Sequence, residues 1–170
     1  MIEPIFRAGR IEEFFRTLEE ESHRGCAIIA MCMMEESLSD LYQSLLPEPT
    51  KRQLAHFTKG HLDTSLVRAM SLGLISADEK ILYLKLAGIR DDFAHGNYGV
   101  RTFDDPIFTD RLEELPVLLR RVAPGNTFDP MPVLNRGKFV LAVSVLHSAF
   151  YIRMKGIVRL PKALPAVTES

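Results

Sequence analysis

Apolar positions recur at three- and four-residue intervals along most of the chain, and no stretch alternates apolar with polar residues between tight turns, so the pattern predicts helices and no strands. A first helix is expected from about Pro4 to Leu18, with Pro4 suited to a first helical position, and a solvated Glu19-Glu20-Glu21 follows it. The second and longest is expected from about Ser22 to Leu46. Its first half, Cys26 to Met34, is apolar on all sides, and Leu38, Leu41, Tyr42 and Leu45 continue at helical spacing, which suits the middle of a bundle. Pro47-Glu48-Pro49 stops it, and the polar stretch through Gly60 reads as a loop or short helical turn. A third helix, about Leu62 to Leu72, would turn Leu66, Val67 and Met70 to the core and end at Gly73 in a left-handed cap.

Ser76-Ala77-Asp78-Glu79 has the capping-box pattern. The fourth helix that it opens carries Leu82, Leu86, Ile89 and Phe93 as a buried stripe and ends near Ala94 or His95. Asp105-Pro106 supplies an N-cap and a first-turn proline for a fifth helix through about Val122, which Pro116 should kink. Beyond a connection with three prolines, Asn135 is expected to cap a sixth helix with Phe139, Val143, His147, Phe150 and Met154 on one side. The expected architecture is an all-α, single-domain bundle of five to six helices over residues 1–155, with a loose tail at 156–170.

Length agrees, since 170 residues fit one domain of common size. Lys and Arg number 21 against 22 Asp and Glu, and this balance lacks the basic footprint of a duplex-binding protein. No recognition helix with base-reading side chains stands out either. Sequence-specific DNA binding by the chain alone is therefore not expected; Arg153, Lys155, Arg159 and Lys162 are the residues that could give salt-sensitive, non-specific attachment. Cys26 and Cys32 sit in an apolar run at a spacing that matches no zinc or CxxC pattern and read as small buried hydrophobes in a reducing compartment. His23, His56 and His61 lack metal-ligand spacing, and His147 lies in a core stripe, so neither metal nor cofactor is expected. No leader and no apolar window of membrane-spanning length is found, and a soluble, cytoplasmic protein is expected.

The segment most suggestive of chemistry is Arg90-Asp91-Asp92-Phe93-Ala94-His95-Gly96. A guanidinium can stabilise a pentacoordinate phosphorus, and an imidazole titrating near neutrality can take a proton from one oxygen and return it to another. On a continuous helix Arg90 and His95 project about 140° apart, so they converge only if the helix loosens or a second subunit completes the site. Asp91 and Asp92 lie four and three residues before His95 and can orient its imidazole. The same residues also suit a plain helix end, where cations face the negative pole and a glycine follows.

Ser22-His23-Arg24-Gly25-Cys26-Ala27-Ile28, Ser71-Leu72-Gly73-Leu74-Ile75-Ser76, Ile89 to His95, and Phe103-Asp104-Asp105-Pro106, in that order and spacing, resemble the mannitol operon repressor family. The resemblance covers roughly residues 10–155, including Arg136 to Phe139, with Ser22, Arg24, Gly25, Gly73, Phe93 and Asp105 as signature positions. It implies an all-helical transcriptional repressor that works through a protein partner. The Arg-x4-His segment also resembles the HEPN superfamily of helical proteins, which often dimerise and include metal-independent ribonucleases. That resemblance implies a homodimer and, in the enzymatic alternative, an RNA substrate. His95 would then remove the ribose 2′-hydroxyl proton, Arg90 would stabilise the phosphorane, and Asp91 would stand beside them. Asp91 departs from the polar neutral residue common there, and His23 stands where the repressor family usually has an acid.

Overall fold

The Ser22 side chain accepts a hydrogen bond from the Gly25 amide at 3.0 Å, pairing one of the donors that a helix N-terminus leaves open, and α1 follows over His23–Leu45. The computed structural model describes residues 15–46, 50–52, 54, 61–96, 101–126, 128 and 134–157. In chain order the further helices are α2 (Leu62–Ser71), α3 (Ala77–His95), α4 (Thr109–Val122) and α5 (Asn135–Gly156). A 3-10 turn, Pro106–Phe108, leads into α4, and residues 15–20 are also helical. Among the described residues there is no strand; the protein is an all-α bundle, as the apolar periodicity predicts. Residues 1–14 and 158–170, where most of the first expected helix and the tail fall, lie outside the described residues.

The two helices with the broadest apolar faces pack together, α1 on α3, and α5 packs on both, so three helices share the centre. α4 lies against α3 and α5, and α2 rests chiefly on α3. Ala27, Ala30, Met31, Met34 and Leu41 of α1 meet Leu82, Leu86 and Ile89 of α3 and Phe139, Val143 and Phe150 of α5 in one fully enclosed core. Each large side chain buried there stabilises the fold by about 1.5–3 kcal/mol relative to exposure.

The helix ends follow their local chemistry. Ser76 and Glu79 close both arms of the capping box, at 3.2 Å from the Glu79 amide to Ser76 Oγ and 2.5 Å from the Ser76 amide to Glu79 Oε2. Gly73 has φ +70°. The Leu74 amide reaches back to the Ala69 carbonyl at 2.9 Å and the Gly73 amide to Met70 at 3.0 Å, a Schellman closure of α2.

Several expectations need correction. α2 turns Ser65, Leu66 and Ala69 inward, while Val67 and Met70 are each 37 % exposed, because packing chiefly against α3 admits only a narrow stripe. Cys26 is buried but Cys32 is exposed, since α1 is covered on most but not all of its circumference. Asp105 holds the N-cap position of the 3-10 turn, yet its Oδ2 turns back to accept from the Thr102 amide at 3.0 Å, so α4 starts later, at Thr109. Leu134, not Asn135, caps α5, and the Asn135 amide group donates instead to Asp104 Oδ1 at 3.0 Å.

Candidate functional site

Arg90, Asp91 and His95 lie near the C-terminal end of α3, which remains helical through His95. The helix therefore does not loosen to bring Arg90 and His95 together within one subunit. Arg90 faces α1: Nη2 donates to Glu35 Oε1 at 3.2 Å, and Nε stands 3.2 Å from Asp91 Oδ1. The latter is an ion-pair distance without hydrogen-bond alignment, which leaves the buried Nε–H without an acceptor. Asp92 pairs with Arg111 of α4. Both carboxylates that the spacing offered as orienters of the imidazole are thus held by arginines, and His95 itself is exposed.

Glu35 and Arg111 are the partners that the sequence did not reveal, because 55 and 19 residues separate them from Arg90 and Asp92. Two further cations stand beside His95. Arg24 donates to the Ala94 carbonyl at 3.1 Å, pairing one of the open acceptors at the negative end of α3. Arg101 packs on Gly96, where an added Cβ would fall 2.6 Å from its Nε and 2.8 Å from the Asp92 carbonyl oxygen. Gly96 has φ −61°, so close approach, not left-handed backbone, is what a side chain there would oppose.

The segments around Ser22, Phe93, Phe103 and Arg136 meet at this same end of the bundle. His23 Nδ1 accepts from the Phe103 amide at 3.0 Å, which requires that nitrogen to be unprotonated. Its ring lies 5.4 Å from that of Phe103. Phe103 in turn packs edge-on against Phe93 at 4.8 Å and tilted against Phe139 at 5.0 Å. The Arg136 guanidinium collects the carbonyls of Leu18, Glu19 and Glu21, closing the C-terminal end of the helical segment 15–20. The group fastens α1, α3, α5 and the 101–108 turn to one another, and His23 and Arg136 are its fasteners. Gly73 lies apart from this group, as the cap of α2.

Of the basic residues toward the C-terminus, Arg153 and Lys155 have partners. Arg153 donates to Glu79 Oε2 at 2.6 Å and to the Leu74 carbonyl at 2.8 Å, and Lys155 Nζ sits 4.4 Å from the centre of the Tyr151 ring. Arg159 and Lys162 lie outside the described residues. Among the described residues no three His, Cys, Asp or Glu side chains form a group able to hold a metal ion, and no helix is long and apolar enough to cross a membrane. Comparisons with protein-family models, with curated proteins and with solved structures give no match.

Proposed function

We propose that the chain is a helical regulatory protein of the kind the mannitol operon repressor resemblance implies, acting as a homodimer on a protein partner without reading DNA itself. The observation that most supports this is the environment of Arg90. Glu35 and Asp91 each stand 3.2 Å from its guanidinium, so an approaching phosphodiester would meet two carboxylates and a cation whose charge is already offset. Removal of the gene should raise transcripts of the mannitol uptake and metabolism genes, while the purified protein leaves their operator unprotected in a footprint. Unchanged transcripts would overturn the regulatory reading, and a footprint by the protein alone would overturn the partner-borne one. Sedimentation should report twice the chain mass.

The exposed His95 with Arg24 and Arg101 beside it favours a second reading, a metal-independent ribonuclease or its weakened descendant. RNA incubated with the protein in chelator separates the two. We expect no cleavage by either the native chain or His95→Ala; cleavage by the native chain that disappears in the variant would establish the enzyme.

A further inference from the structure

Because α2 rests chiefly on α3, an open groove of about 550 Å³ runs between it and the outer face of α1, lined by Cys32, Glu35, Glu36, Leu38, Ser39, Leu62 and Ser65. That volume lies within the range of small-molecule sites. Its chemistry is specific: two adjacent carboxylates, two hydroxyls and a thiol over a floor of two leucines.

Ser65 Oγ, on a residue that lines it, is buried without a hydrogen-bond partner, as are Tyr83 Oη and Arg90 Nε on the neighbouring α3. Ser65 lines the groove and is only 2 % exposed; its carbonyl is tied to the Tyr42 hydroxyl at 2.6 Å, but its own hydroxyl is not engaged. Arg90 pairs with Glu35, and the Tyr83 hydroxyl lies near enough to Glu35 and Arg90 to respond to their charges. A buried polar group left unpaired is costly, and such groups are commonly met by water or a ligand. Glu35 is paired with Arg90, whereas among the described residues Glu36 has no ion-pair partner. One turn beyond Glu36, the half-buried Asp40 carboxyl is pushed above its ordinary value by desolvation and then by repulsion from Glu36.

We propose that this groove is a binding site for a small organic amine, its ammonium groups held by Glu35 and Glu36, its methylenes on Leu38 and Leu62, and Ser65 Oγ accepting an N–H. The site shares Glu35 with the Arg90 ion pair but does not include His95, and the proposal does not depend on the regulatory reading.

The test is calorimetric titration of the full chain with butane-1,4-diamine, with succinate as the counterpart of opposite charge. We expect saturable binding of the diamine and none of succinate. Glu36→Gln, at an exposed position where folding is not at stake, should weaken binding at least tenfold, and Ser65→Ala several-fold. Absence of saturable diamine binding would overturn the proposal. So would binding that Glu36→Gln and Ser65→Ala leave unchanged, which would mean only diffuse attraction to surface charge. Circular dichroism of the Ser65 variant verifies that its loss is local.

Discussion

His147 is enclosed between α5 and α1, 2 % exposed, with its Nδ1 3.0 Å from Ser37 Oγ. Ser37 spends its one hydroxyl proton on the Met33 carbonyl at 2.8 Å, so the imidazole must be the donor and carries its proton on Nδ1. Burial penalises the charged ring and lowers its pKa from 6.5 to about 4. Above pH 6.5 both folded and unfolded chains hold it neutral. As the pH falls from there toward 4, the unfolded chain takes up a proton that the folded one refuses, and stability is lost. At roughly 1.4 kcal/mol per pH unit the total is about 3 kcal/mol. Urea midpoints at pH 7 and pH 4.5 should therefore draw apart in the native chain and much less in His147→Leu; an equal pH dependence in both would refute the assignment. Glu79 presents a different balance, since it is 2 % exposed and its partner Arg153 is one-third exposed. Arg153→Ala leaves a buried carboxylate without its cation and should cost about 2–4 kcal/mol, somewhat under the range for fully buried pairs because Arg153 is part-solvated. Arg121→Ala, which breaks the more exposed pair with Asp78, should cost under about 1 kcal/mol, and chemical denaturation of the two variants compares them directly.

At the scale of elements, charges spaced seven residues apart along α3 join it to α4. Asp78 pairs with Arg121, Lys85 with Glu114 and Asp92 with Arg111, and the reversed order of the partners is that of antiparallel neighbours. Arg111 also lies across Gly88, where an added Cβ would stand 3.3 Å from its Nη1. The helix ends give a sharper contrast among glycines. Gly73 at φ +70° has open space around a would-be Cβ, so Gly73→Ala should cost about 1–2 kcal/mol through backbone strain alone. Gly25 lies inside the first turn of α1, and a Cβ there stands 3.1 Å from Ser22 Oγ and meets the end of the Glu21 side chain. That carboxylate can swing away. Helix propensity then favours Gly25→Ala by up to about 1 kcal/mol, and thermal unfolding should show this variant at or above the native midpoint while Gly73→Ala falls below it.

Across the whole molecule, the end built from His23, Phe93, Phe103, Phe108 and Phe139 joins α1, α3, α5 and the 101–108 turn in one aromatic cluster. Phe103 is fully buried and touches each of the other three rings and His23. Phe103→Ala should therefore destabilise the fold by about 3–5 kcal/mol, with a loss of helical dichroism at a lower urea concentration. A change near zero would show that the turn is not fastened there.

Most of the helices were legible in the chain because their causes are local: the capping box at Ser76 and Glu79, the glycine after α2, and the apolar stripe of α3 act within one or two turns of the residues that carry them. The all-α class follows from the same periodicity. Which side of α2 is buried was not legible, because Val67 and Met70 are as apolar as Leu66 and only the position of α3 chooses among them. Nor was the environment of the Arg90 segment. Its residues are adjacent in sequence, but Glu35 and Arg111 reach it only after the bundle has formed. Tertiary structure alone decided that Asp91 and Asp92 serve arginines, that Cys32 faces outward, and that a groove remains between α1 and α2, since each depends on how far one helix stands from another and no short-range preference encodes that distance.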